Sequence, residues 1–283
     1  KFGLSELTIG LTIIALGTSA PEIFVGISSV FNGTEELAMG KVIGSNISNI
    51  ALIFGVSCIG VSMRPAKTNI VQLIPFAIAA IILGLVLLDL KITVIEGWVL
   101  LIIFALFIFI TYQYRGSEVD DQIEESATGT ITILLYLTVG LLALIGGSNF
   151  AVIHAEKIAY ILNVPQLIIG LTIIALGTSL PELAATISAI MKNKNDMVIG
   201  NVIGSNVMNI ALVLPIIGFF SNTSFDSTLL SRDYFVMFIA TILFVLLATT
   251  YSSNKINLKF IRFVGCIFVA GYIGYILNLS NLI

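Results

Sequence analysis

The sequence predicts an all-α polytopic membrane protein built from two inverted-topology five-helix repeats, ten helices when complete. Three observations carry that prediction. Of the 283 residues, 58% are hydrophobic and only 10% are charged, with a mean hydropathy of +1.09; soluble domains are about half apolar and a quarter charged. One stretch occurs twice, as Ile9–Glu22 (IGLTIIALGTSAPE) and Ile169–Glu182 (IGLTIIALGTSLPE), with thirteen of fourteen positions identical. A second block follows each copy, Gly40–Leu52 (GKVIGSNISNIAL) and Gly200–Leu212 (GNVIGSNVMNIAL), with ten of thirteen identical, and both pairs are offset by 160 residues. This is an internal duplication. Finally, five apolar spans separate the start of one copy from the start of the other, and an odd number reverses direction across the bilayer.

Taken in order, apolar runs long enough to cross a hydrocarbon core of roughly 30 Å are expected at 5–30, 37–62, 69–90, 94–113, 129–154, 164–190, 197–220, 232–250 and 258–279. No alternating ten-residue strands suggest a barrel. Residues 114–128 are acidic and rich in small residues, and read as a solvated linker rather than as a weak regulatory cation site. The chain divides into a first half at 1–113 with four spans, the linker at 114–128, and a second half at 129–283 with five spans. Subtracting the repeat offset from 129–154 lands upstream of Lys1, so the first half is expected to lack the counterpart of the helix that opens the second.

Nine basic residues (Lys1, Arg64, Lys67, Arg115, Lys192, Lys194, Lys255, Lys259 and Arg262) fall on one side of these spans, and four (Lys41, Lys91, Lys157 and Arg232) on the other. The richer side is expected in the cytoplasm. That places the linker inside and the carboxyl terminus outside. A net charge of −3 with scattered basic residues gives no basis for a nucleic-acid partner. Cys58 and Cys266 lie inside apolar runs and read as small hydrophobes rather than a disulfide. His154, at a span's end, reads as interfacial packing.

The chemistry is expected where the duplication puts carboxylates. Of sixteen acidic residues, Glu22 and Glu182 lie deep inside spans, at equivalent places, and no Lys or Arg is expected at comparable depth. An intramembrane carboxylate marks a functional site by default. Pro21 and Pro181 cannot donate to the carbonyls of Gly17 and Gly177, which loosens each helix beside its glutamate. Thr18 and Ser19 lie on faces adjacent to Glu22, as Thr178 and Ser179 do for Glu182. Ser45 with Asn49, and Ser205 with Asn209, add hydroxyls and amides four residues apart, while Asn46 and Asn206 read rather as packing groups. Gly44 and Gly204 allow close helix approach. Two carboxylates among oxygen donors, with no thiolate or imidazole, select hard cations, either Ca²⁺ or several Na⁺.

In these four motifs, GTSAPE with GSNISN and GTSLPE with GSNVMN, the chain resembles the cation/calcium antiporter superfamily, and within it a prokaryotic sodium/calcium exchanger. The resemblance implies a secondary antiporter, not an enzyme, exchanging Na⁺ for Ca²⁺ by alternating access, commonly three for one, without a cofactor and as a monomer in lipid. It implies Ca²⁺ coordination by Glu22, Glu182 and the carbonyls of Thr18 and Thr178. Na⁺ would be held with help from Ser19, Ser179, Ser45, Ser205 and the carbonyls of Ala15 and Ala175. Asn49 and Asn209 would complete the ring, and Asn209, where potassium-dependent members carry Asp, argues against potassium cotransport. Lys41 stands where Asn is usual and is expected to snorkel to the outer surface; pointing inward, it would repel cations and weaken binding. The rival reading on the same fold is H⁺/Ca²⁺ (or other divalent cation) exchange. A passive channel or a carboxylate-dyad hydrolase leaves the duplicated Ser and Asn positions unused.

Overall fold

The computed structural model describes residues 5–60, 70–115, 130–252 and 257–280; most of the acidic linker lies outside them. Nine helical stretches follow in order. They are α1 (Glu6–Thr18 and Ala20–Phe31), α2 (Glu35–Gly60), α3 (Val71–Asp89), α4 (Val94–Gln113), α5 (Thr130–Ile161), α6 (Gln166–Met191), α7 (Asn195–Phe220), α8 (Leu229–Thr250) and α9 (Leu258–Ser280). Seven are long and apolar enough to cross a membrane, and the two segments of α1, bent by 47° where they meet, are so only when taken together. Helix α5 is longer than expected. It continues from the expected end at 154 to Ile161, and His154 is exposed there, its Nδ1 2.8 Å from the Phe150 carbonyl and its ring against that of Phe150.

The layers follow from burial. Helices α2 and α7 are the most enclosed, with 83% of each span buried, whereas α4 and α9 keep only 28% buried and form the periphery. Around the central pair the duplicated halves pack reciprocally: α1 lies against α7, and α2 against α6. Glycines set the spacing. A Cβ on Gly10 would stand 2.6 Å from the Met197 carbonyl oxygen and one on Gly200 2.5 Å from that of Leu7; Gly170 and Gly40 repeat this against Leu37 and Leu167, at 2.6 and 2.5 Å. No real Cβ tolerates such distances, so the backbones touch where membrane helices are expected to use small residues. Helix α5 runs beside α6 and also touches α1.

Local signals explain the element ends. Helix α4 opens on a capping box, Thr93 accepting from the Glu96 N–H at 3.3 Å while Glu96 accepts from the Thr93 N–H at 2.7 Å. The turns after α1 and α6 are duplicated too: Gly33 and Asn193, 160 residues apart, both adopt positive φ, +70° and +57°, which Gly and Asn tolerate best. The hydroxyl of Thr8 and the N–H of Ser5 both donate to the Arg115 carbonyl, tying the start of α1 to the end of α4.

Asp233, at the start of α8, is fully buried, which hydropathy alone does not signal. Arg232 donates to both its oxygens at 2.7 and 3.0 Å, and Tyr275 of α9 donates to Oδ1 at 2.9 Å. This network joins the last two helices. Asp233→Ala is expected to destabilise the purified protein by about 2–3 kcal/mol, read as a lowered thermal midpoint in detergent, below the full cost of breaking a buried pair because the Arg232 side chain keeps 22% exposure. Tyr275→Phe removes one hydrogen bond and should cost about 1–2 kcal/mol.

Candidate cation site between α1, α2, α6 and α7

The site forms where each duplicated helix is interrupted. Helix α1 breaks at Ser19 and α6 at Ser179, so Pro21 and Pro181 fall in the first turn of the outgoing segment, where a missing N–H removes no helical bond. Before each break lies a widened π-helical turn, Gly10–Ile14 and Gly170–Ile174; others follow in the partner helices at Ser48–Phe54 and Asn209–Val213. Each widened turn alters the helical register and frees backbone carbonyls. The hydroxyls of Thr12 and Thr172 donate to the carbonyls of Thr8 and Ile168, at 2.7 and 2.6 Å.

Glu22 and Glu182 are both buried and lie beside each other. Their hydrogen bonds cross between the halves: Ser19 donates to Glu182 Oε1 at 2.9 Å, and Ser179 donates to Glu22 Oε1 at 2.8 Å. Ser205 adds a longer contact to Glu182 Oε1 at 3.4 Å. The other oxygen of each glutamate, Oε2, has no hydrogen-bond partner among the described residues, nor do Ser45 Oγ, Asn46 Oδ1 and Asn49 Oδ1. Buried polar atoms are ordinarily paired, so the two orphaned carboxylate oxygens, with three orphaned side-chain oxygens on α2, make an oxygen-rich enclosure suited to a hard cation. Among the described residues no group of three or more His, Cys, Asp or Glu converges, so its negative charge comes from two glutamates and its other oxygen donors are neutral.

The expected residues fall into place unevenly. Glu22, Glu182, Ser19, Ser179, Ser45, Ser205, Asn49 and Asn209 are all buried. The hydroxyls of Thr18 and Thr178 donate to the Ile14 and Ile174 carbonyls, at 3.0 and 2.9 Å, and that of Thr18 also lies 3.4 Å from Asn201 Oδ1 of α7. The carbonyls of Ala15 and Ala175 accept the N–H of Ser19 and Ser179, at 2.9 and 3.1 Å, and each also takes a longer contact of 3.4 Å from the hydroxyl of Thr18 or Thr178. Asn46 and Asn206 are more involved than packing requires. Asn49 donates to Asn206 Oδ1 at 3.1 Å, and Asn46 donates to the Val42 carbonyl at 2.7 Å while its own oxygen is among the orphans. Sequence reasoning missed Ser48, whose hydroxyl lies 3.4 Å from that of Ser179; its counterpart in the repeat is Met208, so the duplication gave no cue.

Lys41 corrects two expectations. It does not snorkel to the outer surface: it is fully buried, and its Nζ donates to Asn209 Oδ1 at 3.1 Å, facing the charges of Glu22 and Glu182. A cation does therefore share the depth of the glutamates. The reason is positional. Lys41 sits on enclosed α2, where the aliphatic stem has protein rather than lipid around it, and two carboxylates compensate an ammonium better than a distant membrane surface does.

An all-helical chain with several membrane spans and a buried, paired-carboxylate oxygen cage belongs, as a class, to the transporters of cations. The sodium/calcium exchanger protein family model matches residues 1–113 and 132–280, and the chain belongs to that family. It is 37% identical to the putative antiporter CaxA of Alkalimonas amylolytica, over 97% of this chain and 88% of that one. It is 26% identical to the sodium/calcium exchanger MaX1 of Methanosarcina acetivorans, over 90% and 85% respectively. Among solved structures it superposes on the sodium-calcium exchanger NCX_Mj soaked with Na⁺ and Sr²⁺ with a TM-score of 0.79, at 30% identity, covering 98% of this chain and 88% of that one. Ion exchange, not enzyme chemistry, is its activity class.

Proposed function

We propose that this protein exchanges Na⁺ for Ca²⁺ by alternating access at the cage between α1, α2, α6 and α7. The observation that carries this reading is the crossed pair of bonds, Ser19 to Glu182 and Ser179 to Glu22, which makes each half contribute to the other's carboxylate. A site shared in this way changes shape when the halves move. Glu22 and Glu182, with the carbonyls of Thr18 and Thr178, take Ca²⁺. Ser19, Ser179, Ser45, Ser205 and the carbonyls of Ala15 and Ala175 serve Na⁺, and Asn49 closes the ring, while the oxygen of Asn209 is held by Lys41. Because both ions need the same carboxylates, one must leave before the other enters, and that competition couples their movements.

In the same reading the halves at 1–113 and 129–283 are inverted repeats, a monomer suffices, and the linker faces the cytoplasm of a prokaryotic cell. Removing buried Lys41 from the charge count only sharpens the asymmetry behind that orientation.

The test is uptake of radiolabelled Ca²⁺ into proteoliposomes loaded with Na⁺. An outward Na⁺ gradient is expected to raise initial uptake about tenfold over equal Na⁺ on both sides, since each tenfold in a coupled gradient adds about 1.4 kcal/mol per ion. Uptake indifferent to Na⁺ but driven by a pH gradient would replace this reading with proton-coupled exchange.

A further inference from the structure

The duplication makes one departure from symmetry conspicuous. Lys41 and Asn201 stand at equivalent positions, 160 residues apart, yet their side chains serve different partners. The Asn201 amide nitrogen stays within its own half, 3.4 Å from the Glu182 carbonyl and 3.3 Å from Thr186 Oγ1, while its oxygen accepts from the Thr18 hydroxyl across the halves at 3.4 Å. Lys41 crosses into the other half to reach Asn209.

That crossing disrupts a second symmetry. Asn49 Nδ2 donates to Asn206 Oδ1 at 3.1 Å, and the equivalent bond would run from Asn209 Nδ2 to Asn46 Oδ1. It is not made. Both of those atoms are buried without a hydrogen-bond partner among the described residues; the Asn209 oxygen meets the Lys41 ammonium instead. An ammonium has three donors and no acceptor, so what surrounds it must be oxygen and negative charge, which is also what surrounds a bound Na⁺.

We propose that the Lys41 ammonium is a tethered cation of the exchange site, standing beside Asn209 in place of one Na⁺, so that this protein moves one Na⁺ fewer per Ca²⁺ than the same site with a neutral residue at 41. The proposal rests on the Na⁺/Ca²⁺ reading above and adds its coupling ratio. Two carboxylates and one ammonium leave a single net negative charge in the cage. One Ca²⁺ or two Na⁺ then bring it to the same single positive charge, whereas three Na⁺ would leave two, and buried charge is costly. With Asn at 41, Ca²⁺ or two Na⁺ neutralise the cage and a third Na⁺ adds only one charge. The native protein is thus a two-for-one exchanger that moves no net charge, and Lys41→Asn converts it to three-for-one.

The experiment compares the full chain with Lys41→Asn, Lys41→Gln and Lys41→Arg. The Na⁺ dependence of the thermal midpoint, at constant ionic strength in detergent, counts the Na⁺ bound by linkage. Either neutral variant should bind one Na⁺ more than the native protein, and the charge-keeping Arg variant should match the native count. In proteoliposomes, a K⁺ diffusion potential set with valinomycin should leave native Na⁺-driven Ca²⁺ uptake unchanged and should shift that of the neutral variants several-fold. Equal Na⁺ counts in native and neutral variants overturn the proposal, and so does native uptake that follows the potential, a measurement that needs no variant to fold. A one-ion difference in count without any Na⁺-driven Ca²⁺ uptake supports the place of Lys41 and sinks the exchange reading instead.

Discussion

Glu22→Gln and Glu182→Gln are each expected to reduce Na⁺-driven Ca²⁺ uptake by at least roughly a hundredfold, the lower end of what removing one member of a buried charge cluster costs. The amide keeps the shape and one acceptor oxygen, so the crossed bonds from Ser19 and Ser179 can persist and the fold should survive. What changes is charge. With one glutamate left opposite Lys41, the cage becomes formally neutral, and a divalent ion entering it gains no net attraction from the protein. The two variants should fail to a similar degree, because the carboxylates occupy equivalent places and each is bound by the opposite half. The check is initial uptake in proteoliposomes beside a thermal midpoint for each variant. Near-native uptake in either one, with a native midpoint, would remove that glutamate from the site.

The second large effect falls on packing. Gly44 and Gly204 stand against Leu171 and Leu11 of the opposing helix; a Cβ on Gly204 would lie 2.6 Å from both the Leu11 carbonyl oxygen and the Ala15 Cβ, and one on Gly44 would meet the Leu171 carbonyl oxygen and the Ala175 Cβ. Backbone cannot step aside as a side chain can. Each Gly→Ala change is therefore expected to cost about 1–3 kcal/mol and to displace Ala15 or Ala175 from the interrupted helix, lowering transport as well as the midpoint. Gly274→Ala is the control, since its Cβ would meet nothing within 4 Å; gaining a methyl group there should leave both readouts near native. If the Gly44 and Gly204 variants behaved like the control, the close approach of α1 to α7 and of α2 to α6 would not be what holds the site.

The residue pairs at both places are legible in the sequence alone. Duplication is a one-dimensional signal, and it marked Glu22 with Glu182, Ser19 with Ser179, and Gly44 with Gly204 as equivalents. Apolar length located the spans because lipid forces every backbone polar group to be satisfied within its own helix. Helix α5 departed most, running on to Ile161. Nothing near 154 stops a helix, since Pro165 is the first proline beyond it, so hydropathy ended where the hydrogen-bonded helix did not.

The sequence by itself determined the class of protein, its spans, its internal repetition and the residue types gathered at its centre. Those depend on composition and on periods along one chain. Only the tertiary structure decided which oxygens belong to which carboxylate, since the crossed bonds join residues more than 150 positions apart, and which way Lys41 points. A lysine within an apolar span has two solutions, the membrane surface or a buried counter-charge. The choice depends on whether carboxylates from another helix come within reach of its ammonium. For Lys41 the charges of Glu22 and Glu182 act on the ammonium while Asn209 of α7 accepts its hydrogen bond, and electrostatic compensation across helices is not a property that a local stretch of sequence can express.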